Sequence, residues 1–244
     1  MSKLVSVIMS VYDKDSPDFL RESIMSIGNQ SYKNIEVILI GDGISKPSLQ
    51  NSIENLINEY SDIVRYFPQP VNNGLACCMN LAINLAKGDF LARMDADDIM
   101  YPYRIEKQLQ FFKNNSDIDV VGSWITEFNI TENKQKIIKY PLLHEDIKNS
   151  FGKRNPVAHP SVMMRKDFFE KSGNYPLDTN TDEDTILWLN AFCNGCRFAN
   201  IDETLTRMRV SNDFFERRSG INKASSDFKN RLVVIRTLKL SFIN

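Results

Sequence analysis

The chain reads as an α/β protein built on a doubly wound sheet, and three observations carry that reading. Short runs rich in β-branched residues alternate with amphipathic helical stripes through the first hundred positions. The strand-like runs carry little polar alternation, as expected of parallel strands covered on both faces. Acidic residues also stand directly after three of these runs: Asp13, Asp42 and the group Asp95 to Asp98. In an open α/β sheet those ends converge on one crevice, where ligands bind.

Leu4-Val5-Ser6-Val7-Ile8-Met9-Ser10-Val11, closed by Asp13-Lys14-Asp15-Ser16, is the first strand. Ser16-Pro17 then offers an N-cap and a first-turn proline, and Phe19, Leu20, Ser23, Ile24 and Ile27 share one helical face until Gly28 stops it. Ile35-Glu36-Val37-Ile38-Leu39-Ile40 is the second strand, ended by Gly41-Asp42-Gly43. Leu49, Ile53, Leu56, Ile57 and Tyr60 mark the second helix, Ile63 to Phe67 a short strand, and Asn72-Asn73-Gly74 a turn into a helix from Leu75 to Lys87. Leu91-Ala92-Arg93-Met94 is the fourth strand. Beyond Asp98 the rhythm changes: Val120 to Phe128 and Lys136 to Tyr140 flank Thr131-Glu132-Asn133 and predict a hairpin.

No Pro/Gly/Ser-rich linker or repeat interrupts the 244 residues, so the chain is expected to be one unit. Its functional segments are 1–98, 99–214 and a C-terminal helix over 215–244. A net charge of −1 is an ordinary globular balance, and no nucleic-acid partner is expected. No apolar stretch approaches the roughly 18 residues a bilayer span requires, and no signal-peptide core opens the sequence, so a cytoplasmic protein is expected. Cys77, Cys78, Cys193 and Cys196 read as reduced structural thiols. From Phe215 onward seven basic residues face two acidic ones, a net +5 against −6 for the remainder. Ile221, Phe228, Leu232, Ile235 and Phe242 fall along one side of that helix, which therefore either lies on an anionic membrane surface or docks on the protein's own core.

Three carboxylates within four positions repel one another unless a divalent ion or a basic group balances them, and an oxygen-only set favours Mg²⁺ or Mn²⁺ over zinc. Asp95 and Asp97, on or just after the strand, read as metal ligands for a diphosphate. Asp98, ahead of Ile99-Met100-Tyr101-Pro102, serves equally well as a helix cap. A carboxylate at the second strand end could read a base N–H or ribose hydroxyls. Neither a P-loop nor a dinucleotide glycine loop is present, since no GxxG or GK[ST] follows Gly41 and Gly43.

These residues resemble a family. Val5 to Tyr12, Ile40-Gly41-Asp42-Gly43-Ile44-Ser45, Asn73-Gly74-Leu75-Ala76 with Asn80, Lys87-Gly88-Asp89 and Met94-Asp95-Ala96-Asp97-Asp98 follow the order of family-two glycosyltransferases with the GT-A fold. Pro102 with Arg104 and Gln108, His159-Pro160-Ser161, and Glu183-Asp184-Thr185-Ile186-Leu187-Trp188 continue the match over nearly the whole chain. The resemblance implies a nucleotide-binding sheet fused to an acceptor-binding half, and inverting transfer of a hexose from a nucleotide diphosphate sugar, UDP-linked, with Mn²⁺ or Mg²⁺. It implies a saccharide or polyprenyl-linked saccharide acceptor of a surface polysaccharide, at the inner face of the membrane.

By position, the resemblance implies that Ser10, Val11, Tyr12 and Asp42 meet the base, with Asn73 and Gly74 beside the donor. Asp95 and Asp97 would serve ribose and metal, and Asp184 would be the base. His159, Glu183 and Trp188 would lie on the acceptor side, His159 either orienting a hydroxyl or capping the loop before Pro160. Three departures stand out: Gly41-Asp42 where relatives carry two acids, Met79-Asn80 where they often carry Arg-Asn, and Met208-Arg209-Val210-Ser211 without the histidine of Tyr-Arg-x-His. An NDP-sugar nucleotidyltransferase and a non-catalytic glycan or nucleotide-sugar binding module remain as alternatives.

Overall fold

The structure, a computed structural model, describes residues 2–129, 131–178, 182–210 and 221–240, with side chains of the last stretch described from 227 onward. Its first half follows the sequence pattern closely. β1 (Val5–Tyr12), α1 (Pro17–Gly28), β2 (Ile35–Asp42), α2 (Pro47–Glu59), β3 (Val64–Gln69), α3 (Leu75–Leu85) and β4 (Phe90–Arg93) alternate as expected. Proline opens both α1 and α2, where a missing N–H costs nothing. α3 ends at Leu85 rather than Lys87 because Ala86 is extended and the next two amides leave the helix. Lys87 N donates to Glu36 Oε1 at 2.6 Å and Gly88 N to Ser6 Oγ at 2.8 Å, tying the helix end to β1 and β2.

The second half is β5 (Ile99–Met100), α4 (Arg104–Asn114), β6 (Val120–Asn129), β7 (Lys134–Ile138), α5 (His144–Ser150), a 3₁₀ turn (His159–Ser161), β8 (Met163–Arg165), α6 (Phe168–Ser172), α7 (Glu183–Cys193), β9 (Phe198–Arg209) and α8 (Ile221–Leu238). β6 and β7 form the expected hairpin. One sheet spans both halves in the order β3-β2-β1-β4-β8-β6-β9-β5, with β7 paired to β6. β3, β2, β1 and β4 are parallel, and the winding reverses between β1 and β4. β8 then runs antiparallel to both β4 and β6.

Two apolar layers sandwich this sheet. One holds Leu20, Ile24 and Ile27 of α1 and Leu49, Ile53 and Leu56 of α2 against Val7, Met9 and Leu39. The other packs α3, α5, α6 and α7 against Ile8, Ile38 and Val120. α8 joins this second layer through the fully buried Val234 and the partly buried Leu238. That placement corrects the expected stripe: Phe228 is 64% exposed, because the docking face is shifted around the helix onto Arg231, Val234, Ile235 and Leu238. Ile221's side chain and Phe242 lie outside the described residues. His144, at the start of α5, accepts at Nδ1 from Phe198 N at 3.1 Å and packs its ring on Phe192. Cys78 and Cys196 are buried thiols, whereas Cys193 is exposed at the end of α7.

Candidate active site

The carboxyl ends of β1, β2 and β4 meet where the winding reverses, and they bring the expected nucleotide-side residues together. Ser10 and Tyr12 are partly accessible, but Val11 is fully buried in the core, so only its backbone can face a ligand. Asp13 is occupied: its carboxylate accepts from Ser45 N at 2.7 Å, from Lys46 N at 3.0 Å and from Ser45 Oγ, bonds that hold its pKa below the usual carboxylate range. Asp42 is buried and fastens the turn ahead of α3, with Oδ1 accepting from Asn73 N at 2.7 Å and Oδ2 from Gly74 N at 3.0 Å. Both of its carboxylate oxygens therefore shape the Asn73-Gly74 turn. Gly43 has φ +66°, and a Cβ there would lie 2.5 Å from Asn72 N. The missing second acid at Gly41 also has a physical reason: a Cβ at 41 would lie 2.2 Å from Tyr66 Oη, which takes that space. Met79 is buried in the core.

Asp95, Asp97 and Asp98 follow β4, with carboxylate oxygens all within 4.8 Å of one another. Burial and the neighbouring Asp95 push Asp97 up to about 6. Burial, with Asp95 and Asp97 beside it, pushes Asp98 well above the usual range. Asp98 is not a helix cap: the two-residue β5 follows it, and its Oδ1 accepts from Arg209 N at 2.9 Å. Its Oδ2 is buried without a protein partner. Three clustered carboxylates, one with an orphaned buried oxygen, make the hard oxygen donor set that suits Mg²⁺ or Mn²⁺.

Two arginines hold this cluster. Arg93 is 2% exposed and ion-pairs Asp95, and although burial opposes its charge, Asp95 and the anions around it keep its pKa above the ordinary value. Its Nε and Nη1 have no protein partner. Arg209 closes the turn from β9: Nε donates to Asp97 O at 2.9 Å, Nη2 to Glu22 Oε2 at 2.6 Å, and the guanidinium stacks 3.8 Å over the Phe19 ring.

Glu183 and Asp184 open α7 and are both partly accessible. Burial and the adjacent Glu183 push Asp184 up to about 6. Asn155 Nδ2 donates to Asp184 Oδ2 at 2.7 Å. Arg93 acts electrostatically on Asp184, on His159 and on Tyr175, which places these groups and the acidic cluster around one guanidinium. His159 begins the 3₁₀ turn, its Nε2 lies 2.8 Å from Tyr175 Oη, and burial together with Arg93 holds its pKa well below the ordinary value. It is thus a neutral imidazole locked to a buried phenol. Trp188 corrects an expectation: it is fully buried, edge-on to His159 and Phe198, and supports the wall from behind instead of meeting an acceptor.

The motif residues Arg104, Gln108 and Asn80 are scaffolding. Arg104 is fully buried and donates to the carbonyls of Pro160 (2.8 Å), Arg93 (2.8 Å) and Val162 (3.2 Å), clamping α4, the 3₁₀ turn and β4 together. Asn80 makes both amide bonds with the backbone of Tyr175, at 2.8 and 2.9 Å. Arg93, Asn155, Tyr175 and Arg209 were not singled out by the sequence pattern. An arginine inside an otherwise apolar strand is the one such signal, because a buried guanidinium requires partners.

A winding reversal with a carboxylate cluster at its β4 end, in a sheet that continues into an antiparallel second half, is the GT-A class of nucleotide-sugar transferase. The glycosyl transferase family 2 model matches residues 6–173, and the chain belongs to that family; it is a glycosyltransferase. It is 34% identical over 237 residues to the Escherichia coli UDP-Gal:alpha-D-GlcNAc-diphosphoundecaprenol beta-1,3-galactosyltransferase, covering 97% of this chain and 85% of that protein. It is 32% identical to the Escherichia coli O-antigen biosynthesis glycosyltransferase WbnJ, covering 86% and 80% of the two chains. Among solved structures, S. aureus TarS 1-349 in complex with UDP-GlcNAc matches with a TM-score of 0.71 at 17% identity, over 99% of this chain and 68% of the other. The mannosyltransferase PcManGT from Pyrobaculum calidifontis, in complex with GDP-Man and Mn²⁺, matches at 0.67 and 13%, over 98% and 74%. Among the described residues no helix is long and apolar enough to cross a membrane.

Proposed function

We propose that the protein transfers a hexose, with inversion, from a UDP-linked donor to a saccharide carried on a lipid diphosphate, in the synthesis of a surface polysaccharide. The observation that carries this reading is Asp184: a partly accessible carboxylate pushed up to about 6, within the field of the same Arg93 guanidinium that ion-pairs Asp95 of the acidic cluster. At pH 7 it is ionised yet still basic enough to take a proton, which is what general base catalysis requires. The acceptor hydroxyl gives its proton to an Asp184 oxygen while its oxygen bonds to the anomeric carbon. The bond from that carbon to the UDP oxygen breaks, and the electron pair leaves with the diphosphate.

Asp95, Asp97 and Asp98 would hold a divalent cation, which supplies positive charge to the departing diphosphate. Ser10, Tyr12 and the backbone at Val11 would meet the base at the carboxyl end of β1, with the Asn73-Gly74 turn, shaped by Asp42, serving the donor. The donor nucleotide and lipid acceptor are suggested by the named Escherichia coli galactosyltransferase. The outer face of α8, where exposed Phe228 and Val233 stand among Lys229, Arg236 and Lys239, is suited to an anionic lipid surface carrying that acceptor.

The test is an Asp184→Asn enzyme assayed on UDP-hexoses with a polyprenyl-diphosphate saccharide, with and without EDTA. Donor binding should survive and transfer should fall at least about a thousandfold, in line with loss of a general base. Near wild-type turnover would remove Asp184 from this role. For the membrane contact, Phe228→Glu should release the protein from vesicles containing phosphatidylglycerol; unchanged co-sedimentation would sink it.

A further inference from the structure

Asp184 is not held by its own helix alone. Asn155, in the segment between α5 and the 3₁₀ turn, gives its amide N–H to Asp184 Oδ2 at 2.7 Å. The other end of that amide, Oδ1, accepts from Arg231 Nη2 at 2.8 Å and lies 2.9 Å from Thr185 Oγ1. Arg231 belongs to α8, is itself partly buried, and donates Nη1 to Phe151 O at 3.1 Å. One residue earlier, Asn230 Nδ2 donates to Asp182 Oδ2 at 2.9 Å. The C-terminal helix therefore reaches the start of α7 at two points.

The chemistry of these groups sets a direction. An amide can turn over by half a rotation, exchanging its donor and acceptor ends. A hydroxyl such as Thr185 Oγ1 suits either end, because it both donates and accepts. A guanidinium only donates and an ionised carboxylate only accepts, so Arg231 and ionised Asp184 together turn Oδ1 towards α8 and the NH₂ group towards Asp184. Without Arg231 nothing holds Oδ1 when Asp184 is protonated, and the turned amide can then accept the carboxyl proton and favour the protonated form.

We propose that Arg231 is a positioning residue: it fixes the Asn155 amide, and through it the orientation and charge of Asp184, so that turnover depends on α8 being docked. This rests on Asp184 being the base. The groups acting on Asp184 are Asp182 just before α7, Glu183 on α7, Arg93 on β4, Tyr175 after α6, and Arg231 on α8, with Asp227 of α8 acting on Arg231. Only Arg231 among them acts through Asn155.

The test compares wild type with Arg231→Met and Arg231→Lys in the full-length chain, using kcat, donor KM and the pH profile of kcat. Loss of one charged hydrogen bond predicts a kcat about tenfold or more lower for Arg231→Met, with donor KM within about twofold. The acidic limb of its pH profile should move upward, and Arg231→Lys should restore part of both effects. Asn155→Asp, which sets a second carboxylate against Asp184, should move the limb further in the same direction and serves as the readout if Arg231→Met fails to fold. A folded Arg231→Met enzyme with wild-type kcat and pH profile overturns the proposal while Asp184→Asn remains inactive. Turnover by Asp184→Asn instead overturns the base assignment itself.

Discussion

Replacing Asp97 with Asn is expected to separate stability from activity, and the size of the effect follows from its surroundings. Burial and Asp95 raise Asp97 from the ordinary 3.8 to about 6. At about 1.4 kcal/mol per unit, a rise of about two units makes the ionised form cost the folded state up to about 3 kcal/mol. The sign follows from proton binding: the folded chain keeps this proton to a higher pH than the unfolded chain does. The contribution of Asp97 to stability is therefore most favourable below about pH 4, declines as the pH climbs towards 6, and carries the full deficit above that. Asn carries no charge, so the variant escapes the deficit. At roughly 2–4 °C per kcal/mol for a chain of this size, Asp97→Asn should melt about 6–12 °C higher than wild type at pH 7.5 in EDTA.

Calorimetry of both proteins at pH 7.5 and pH 4, each in EDTA and in Mn²⁺, checks this. The two melting temperatures should converge at pH 4. At a hundredfold excess over its dissociation constant, Mn²⁺ should stabilise the wild type by about 2.7 kcal/mol, and the variant far less. Transfer should be lost in the variant at every pH. A folded Asp97→Asn protein that melts at or below the wild-type temperature at pH 7.5 in EDTA would refute the reasoning, because the carboxylate repulsion would not then be stored in the native state.

Other substitutions report on the frame around the cluster. Asp42→Asn loses one of the two acceptors that hold Asn73 N and Gly74 N, and should cost about 1–3 kcal/mol in urea unfolding while raising donor KM more than it lowers kcat. Arg104→Met removes the guanidinium from three carbonyls, of which only Val162 O keeps a backbone donor in Arg93 N, and should cost about 3–5 kcal/mol; a loss under 1 kcal/mol would contradict the clamp. At saturating donor, wild-type kcat should climb about tenfold per pH unit below 6 and level above it, as Asp184 gives up its proton. A plateau reaching below pH 5 would contradict that assignment.

The first half of the fold was legible because a parallel strand covered on both faces writes a continuous apolar run, and β1, β2 and β4 do so. The acidic cluster was legible because its three members are neighbours in sequence. β5 and β8 were not, since strands of two and three residues are too short to show a period. The wall around Asp184 was hidden for a different reason. Asn155, Tyr175, Asp184 and Arg231 come from four separate segments, and only the packing of α7 against α8 brings the last two together. Trp188 misled because it follows the acidic pair closely; four residues after Asp184 it lies on nearly the same side of α7 one turn further on, and there that side is covered by His159, Phe168 and Phe198. The tail misled similarly: spacing alone showed an amphipathic helix but not which neighbouring stripe would meet Phe151 and Gly152.

Burial is the main reason both carboxylate sites hold their protons so tightly, and Arg93 opposes it at both. Arg209 helps Arg93 at the cluster and Arg231 lies near Asp184, but Arg93 is the one buried guanidinium that acts on Asp97, Asp98 and Asp184 alike. Fields add, so a further positive charge at the cluster on β4 adds to that of Arg93 at the wall on α7. A cation held by Asp95, Asp97 and Asp98 would thus stabilise the folded chain and also lower the proton affinity of Asp184. Loading the donor side and readying the acceptor side are then one electrostatic event, and the acidic limb of the kcat profile should shift to lower pH as divalent ion concentration rises.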